Sequence, residues 1–285
     1  MGVTVAIAAA SGLVCSPAIA GTLVSTELVL SIDVSGSVNE TEFYLQRDAY
    51  ANAFRDADLI NLISGLDNGI AVTWQYWSTI TAAPGDWFHI TDTVSANAFA
   101  DAIAASTRPF AGATNLAAAI NSAADLLLTN DFTGDRMVID VSGDGRQNTN
   151  LEGTNYCAPF YYYGYIYNND FSTNCYPLVE SARDAAVAKG ITVNGLPILT
   201  DVANLDSYFT SYAIGGDDAF VQAASSFLDF ETALKTKITR EIQVSETAGE
   251  SVPEPSLVLG LLTVGLGGGS VMRSKMRSAT AHRSR

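Results

Sequence analysis

Apolar residues fall into two rhythms along this chain: short continuous runs, and stripes at spacings of three and four. Leu28, Val29, Leu30 and Ile32 form a run apolar on both faces, which predicts a strand buried in a parallel sheet. The run closes on Asp33, Ser35 and Ser37, with Gly36 allowing a tight turn between the serines. Asn39, Glu40, Thr41 and Glu42 can cap and start a helix, and Phe43, Tyr50, Ala53 and Phe54 recur along it at helical spacing. Leu59 to Ile63 continues as a second short helical piece. Asp67-Asn68-Gly69 turns the chain into Ile70–Trp77, which is β-branched and aromatic and therefore reads as a strand.

After a break at Pro84-Gly85, Trp87 to Thr91 predicts a short edge strand. Ser95 to Thr107 reads as an Ala-rich helix stopping before Pro109. Leu116, Ala119, Ile120, Ala123 and Leu127 make one helical core stripe, and Met137 to Val141 a further strand. Leu178 to Lys189 is a helix with Gly190 as its C-cap. Ile191 to Leu199 and Phe209 to Ile214 read as strands, and Phe227, Phe230, Leu234, Ile238 and Ile242 as a closing amphipathic helix. Strands thus alternate with helices over residues 25–243, the signature of an α/β fold with a doubly wound, mainly parallel sheet and helices on both faces.

Charge narrows the partners. The 285 residues carry a formal net charge of −15. Five of the 15 basic residues are Arg273, Lys275, Arg277, Arg283 and Arg285, so the body before them has 10 basic against 30 acidic residues, a balance of −20. That argues against nucleic acid, whose affinity rests on Lys and Arg at phosphates. It fits an exported protein that attracts cations. Residues 1–20 are uncharged and apolar and end in Ala18-Ile19-Ala20, a small-x-small pattern that predicts signal cleavage after Ala20. Cys15 would leave with that segment. Cys157 and Cys175 remain, and an even pair in an exported chain reads as a disulfide.

Ligands bind beyond the carboxyl ends of strands in an open parallel sheet, which is where Asp33, Ser35 and Ser37 fall. One carboxylate and two hydroxyls suit a small hard cation such as Mg²⁺, which takes about six oxygen ligands and usually keeps several waters. Thr114, in the loop Gly112-Ala113-Thr114-Asn115 before an apolar helix, and Asp144, at the end of a strand, can supply further oxygens. In this order and after these elements, Asp33, Ser35, Ser37, Thr114 and Asp144 resemble the metal-ion-dependent adhesion site of the von Willebrand factor A family. The segments IDVSGS, VIDVSGDG, ARDAAVAKGITVNGLPIL and the Ile214-Gly215-Gly216 stretch are similar to one exported bacterial subfamily, known only as a domain of unknown function. The resemblance covers residues 25–243. It implies that the hydroxyls of Ser35, Ser37 and Thr114 contact Mg²⁺ or Mn²⁺, that Asp33 and Asp144 bind directly or through water, and that a ligand carboxylate completes the shell.

Residues 146–177 form an insertion long for an α/β loop, holding seven of the twelve tyrosines. Tyr161, Tyr162, Tyr163, Tyr165 and Tyr167 lie between Cys157 and Cys175, whose bridge would close a loop of about 19 residues, worth roughly 3 kcal/mol in the chain-entropy model. The insertion leaves the strand that delivers Asp144, so these tyrosines are expected to rim the metal site. Tyrosine offers large contact area at low entropic cost.

Residues 244–256 read as a linker. Val252-Pro253-Glu254-Pro255-Ser256 precedes an apolar run from Leu257 to Met272, which at about 1.5 Å per residue spans about 24 Å against a hydrocarbon core of about 30 Å. The basic end that follows would stay cytoplasmic. Pro-Glu-Pro, a short transmembrane helix and a basic end at 257–285 resemble the PEP-CTERM sorting signal. That resemblance implies transient residence at the inner membrane, then release to the periplasm, cell surface or extracellular matrix. A plain C-terminal anchor is the alternative.

These features point to a metal-dependent binding module for an acidic group on a protein or polysaccharide, rather than an enzyme. A structural surface or matrix component with a stabilising metal is the second reading, and a metal-dependent hydrolase the third. For hydrolysis, a nucleophilic Asp33 would want a second Asp two residues on as general acid, and Ser35 stands there. His89 is the one histidine between the end segments, and neither G-x-S-x-G nor H-E-x-x-H occurs.

Overall fold

The run that closes on Asp33 is the central strand of the sheet. In a computed structural model the chain is described at residues 21–83, 85–157, 161–162, 165–166, 175–200, 202 and 204–249. Strand β1 (Thr22–Asp33) pairs in parallel with β2 (Ile70–Trp77) on one side and with β5 (Phe132–Gly143) on the other. Strand β8 (Ile191–Pro197) continues the parallel set beyond β5. Two short strands, β3 (Thr81–Ala82) and β4 (Phe88–Ile90), pair antiparallel with β2 and close that edge. The sheet therefore runs β3-β2-β1-β5-β8 with β4 also on β2, as the doubly wound expectation requires.

Seven α-helices cover the faces of the sheet among the described residues: α1 (Glu40–Ala53), α2 (Ala57–Gly65), α3 (Thr93–Ala104), α4 (Leu116–Leu128), α5 (Tyr176–Val187), the single turn α6 (Leu205–Tyr208) and α7 (Phe230–Gly249). Because side chains alternate across a strand, β1 feeds two cores. Leu28, Leu30 and Ile32 pack with residues of α1, α2, α3 and α7. Val29 faces the other way, with Trp77, Ile139 and the apolar stripes of α4 and α5. The polar opening of α1 is a full capping box: Asn39 Oδ1 accepts from Glu42 N and Glu42 Oε2 accepts from Asn39 N.

Helix α7 runs against the direction of β5. Phe230 at its start packs edge-on against Tyr50, which donates to Ser142 Oγ near the carboxyl end of β5. Later in the helix, Arg136 near the start of β5 donates to the Glu241 carbonyl. Between these points a buried charge cluster joins helix to sheet. Lys237 Nζ lies 2.6 Å from Asp140 Oδ1 and 2.6 Å from Glu241 Oε1, and the Asp140 contact is ionic rather than a well-directed hydrogen bond. The helix runs on to Gly249, into the stretch read as a linker.

Two expectations need correction. Phe209 to Ile214 is not a strand: α6 passes into a π-helical turn at Phe209–Ala213. The buried positions there are Leu205, Tyr208, Phe209 and Ala213, a helical spacing that outweighs the aromatic content. The chain meets β8 beyond this turn only through single bridges, Val193 to Gly215, Gly195 to Val221 and Ile198 to Ala224. Strand β5 also begins at Phe132 rather than Met137, because its first half alternates between half-buried and exposed positions instead of forming an apolar run.

Cys157 and Cys175 are disulfide-bonded with Cα atoms 5.6 Å apart. Inside the insertion, β6 (Tyr161–Tyr162) and β7 (Tyr165–Ile166) pair antiparallel. Their side chains, and Tyr163 and Tyr167 altogether, lie outside the described residues, so the rim role expected of the five tyrosines is neither placed nor displaced. Residues 1–20 and the second unit of the chain, Ser251–Arg285, also lie outside them. Among the described residues no helix is long and apolar enough to cross a membrane.

Candidate metal centre

Strands β1 and β5 are neighbours in register, Ile32 beside Ser142, so Asp33 and Asp144 leave the sheet side by side at its carboxyl edge. The chain leaves β1 toward β2 on one side and leaves β5 toward β8 on the other, so the crevice between β1 and β5 is where α/β sheets bind ligands. Asp33 is buried and Asp144 is 3% exposed. Asp33 Oδ1 accepts from the Ser35 N–H at 2.7 Å, which folds the backbone after β1 back on its own carboxylate. Ser35 Oγ lies 3.1 Å from Ser37 Oγ, and Ser37 Oγ donates to Asp144 Oδ1 at 2.6 Å. Ser37, Thr114 and Asp144 line one open cleft of about 310 Å³ with Gly145, Arg146, Asn148 and Val202. The structure therefore brings all five sequence-derived residues to one place.

Residues that spacing did not reveal hold this arrangement. Asn148 Oδ1 accepts from Thr114 N at 2.9 Å, and Asn148 N donates to the Thr114 carbonyl at 3.0 Å, which fixes Thr114 from the loop after Asp144. Arg108 Nη2 donates to the carbonyls of Val34 and Ser35, both at 2.8 Å, and so pins the turn that carries the serines. Gln147 ties the loop to the start of α4, donating to Asn115 Oδ1 and accepting from Ala117 N. Two glycines are needed for close approach. A Cβ on Gly143 would stand 2.8 Å from Asp33 Oδ2, and one on Gly145 would stand 3.1 Å from Thr114 Oγ1. Arg146 was legible only as a charge two residues past Asp144, and Asn148 only as a polar loop residue.

Burial and like charge govern the two carboxylates. Burial pushes the Asp33 carboxyl up to about 8, and the neighbouring Asp144 adds to the rise, while the Ser35 N–H works against it. Asp33 Oδ2 is buried with no hydrogen-bond partner. A buried carboxylate oxygen without a partner is costly, and two adjoining carboxylates repel unless a proton or a cation lies between them. Among the described residues, no three His, Cys, Asp or Glu side chains gather as a metal cluster. The donors here are instead two carboxylates and three hydroxyls, an all-oxygen set that fits Mg²⁺ or Mn²⁺ and does not favour zinc.

A family model described as "Protein of unknown function (DUF1194)" matches residues 23–159 and 168–246. No curated protein matches the chain. Among solved structures, the PilB minor pilin from Streptococcus sanguinis is 15% identical with a TM-score of 0.55, over 82% of this chain and 64% of that one. The pilus adhesin SpaC from Lactobacillus rhamnosus GG is 15% identical with a TM-score of 0.53, over 77% and 30%. A von Willebrand factor type A protein from Catenulispora acidiphila is 12% identical with a TM-score of 0.51, over 76% and 42%. The chain thus spans less than two thirds of the length of each of these structures. At such identities the likeness is one of fold, and that fold is the von Willebrand factor A type.

Proposed function

We propose that this chain, which belongs to the DUF1194 family of proteins of unknown function, is an exported binding module that captures an acidic group through a divalent cation. The observation that carries this reading is the unpartnered, buried Asp33 Oδ2, close to the Asp144 that lines an open cleft. Mg²⁺ or Mn²⁺ would be held by Asp33, Ser35, Ser37, Thr114 and Asp144. When bound, the ion supplies exposed positive charge that attracts a carboxylate. The chain's own groups then have three tasks. Asp33 and Asp144 neutralise the ion, the hydroxyls complete an oxygen shell, and Arg108 and Asn148 keep the two loops from relaxing apart.

Binding is favoured over catalysis by the same geometry. The position where a general acid would stand is Ser35, whose hydroxyl is engaged with Ser37. The partner is a protein acid or an acidic polysaccharide outside the cell, in keeping with the adhesin and pilin likenesses and with the export signals at both ends. PEP-CTERM-type sorting, passage through the inner membrane and release to the surface or matrix belong to the same proposal. The test is a calorimetric titration of the intact chain with Mg²⁺ and Mn²⁺, beside Asp33→Ala. Saturable one-site binding that vanishes in the variant is expected. Absence of binding in the wild type would overturn the reading and favour a structural role.

A further inference from the structure

Arg146 has a second side. Away from the metal cleft it forms one wall of another cleft of about 200 Å³, with Tyr176, Tyr208 and Tyr212 and the polar residues Asn204, Ser207 and Ser211. The three rings form a closed cluster, with centroids 4.9 Å apart for Tyr176 and Tyr208, 4.6 Å for Tyr176 and Tyr212, and 5.3 Å for Tyr208 and Tyr212. The Arg146 guanidinium lies 5.7 Å from the Tyr208 ring centre. The backbone beneath is unusual twice over. Asn204 holds a left-handed φ of 57° without being glycine, and the π-helical turn begins directly after Tyr208. Both kinds of irregularity concentrate at functional sites. The cleft is joined to the metal loop as well, since the Gln147 N–H donates to Tyr208 Oη.

We propose that this tyrosine cleft is a saccharide subsite, and that the ligand is an acidic polysaccharide with one uronate carboxylate at the metal and a neighbouring sugar ring against the tyrosines. The metal half of that ligand rests on the function proposed above; the saccharide half does not. A pyranose ring has an apolar C–H face and a rim of hydroxyls. The cleft is lined by both kinds of group, the three tyrosines and the neutral hydroxyl and amide groups of Asn204, Ser207 and Ser211. Tyrosine supplies an apolar body with a polar tip at low entropic cost. Arg146, which donates to Tyr176 Oη at 3.5 Å, lines both clefts and brings a positive charge to the path between them. A single protein Asp or Glu would use the metal and leave the second cleft without work. At about 200 Å³ the cleft is below the roughly 300–1,000 Å³ of pockets for drug-sized molecules, a size for one ring. The domain's overall negative charge repels a polyanion at long range, so affinity has to come from these contacts and should rise as added salt screens the repulsion.

The test uses the intact chain and a galacturonate tetramer, titrated in Mg²⁺ and in chelator, with a glutamate tetrapeptide as the acid without sugar. Wild type should prefer the galacturonate. Tyr212→Ala should weaken it about tenfold, a loss of about 1.4 kcal/mol, while Tyr212→Phe keeps most of the affinity and Mg²⁺ binding in both variants is unchanged. Unaltered affinity in Tyr212→Ala, equal binding of the glutamate peptide, or no galacturonate binding by a chain that still takes up Mg²⁺ would each overturn the subsite and leave the metal reading standing. Affinity that falls in Tyr212→Ala but is indifferent to chelator and to Asp33→Ala would uphold the subsite and sink the metal half.

Discussion

Ser37 Oγ donates to Asp144 Oδ1 across 2.6 Å, joining residues 107 positions apart in the chain. This bond ties the turn after β1 to the end of β5, beside the buried Asp33 carboxylate. Asp33→Asn should therefore act in opposite directions. In chelator it relieves the repulsion with Asp144 and raises the thermal midpoint. In Mg²⁺ it removes the stabilisation that wild type gains, which at about 100 times Kd amounts to about 2.7 kcal/mol. Thermal unfolding of both proteins with and without Mg²⁺ checks this, and a variant that stays Mg²⁺-responsive would refute it.

Arg108 lies outside the metal-ligand set yet donates to two carbonyls of the serine turn. Arg108→Ala should cost about 1.5–3 kcal/mol, the range for a hydrogen bond to a charged group, and should weaken Mg²⁺ affinity as well. Arg108→Lys should restore little of either, because the lysine side chain ends one atom short of the Nη2 that reaches both carbonyls. Urea unfolding gives the first quantity and calorimetry the second.

The buried cluster under α7 predicts a pH dependence of its own. Burial pushes the Asp140 carboxyl up to about 7, Lys237 opposes that rise, and Glu241 adds to it. Tyr50, which feels Asp140, is itself pushed well above its usual range by burial. A folded-state value above the unfolded value near 3.9 means that the native chain binds the proton more tightly. This group's contribution is greatest below about pH 4, falls as pH rises through about 7, and is flat above that. Asp140→Asn should flatten stability measured between those limits. A wild-type profile that rises steeply across the same window because of this residue would contradict it. Asp56 slopes the other way, because its bond to Lys235 holds its carboxyl low, so the Asp140 effect is read as the difference between wild type and Asp140→Asn.

Reduction of the Cys157–Cys175 bridge should cost up to about 3 kcal/mol and leave Mg²⁺ binding intact. The base of the insertion is held apart from the bridge, through Cys157 N to the Asn148 carbonyl and the Thr149–Tyr156 bridge. Titration of the Cys157→Ala, Cys175→Ala double variant checks this, and lost Mg²⁺ affinity would show that the bridge shapes the metal loop.

A continuous apolar run makes β1 readable, and β-branched and aromatic content makes β2 readable, because a strand buried on both faces shows in its composition. Asn39 and Glu42 were readable for a similar reason, since their reciprocal bonds span three residues. Asp33, Ser35 and Ser37 were readable because alternate spacing at a strand end is local. Asn148 and Arg108 were not, because their partners lie 34 and 74 positions away and no local pattern records such distances. Phe209 to Ile214 is helical despite its aromatic content, because Leu205, Tyr208, Phe209 and Ala213 are buried at helical spacing. The tyrosines of the insertion drew the eye by number, while Tyr208 and Tyr212 stand beside Arg146 from a distant helix.

Thr22 starts β1 at the amino edge of the sheet, and α7, running against β5, carries the chain back toward that same edge. Both exits of the domain thus share the pole opposite the cleft. Tension applied by a captured ligand would travel from Asp33 and Asp144 down β1 and β5 toward those exits, lengthwise along the strands. The rungs of the parallel ladder would then be strained sideways and together, rather than parted one after another as in a zipper.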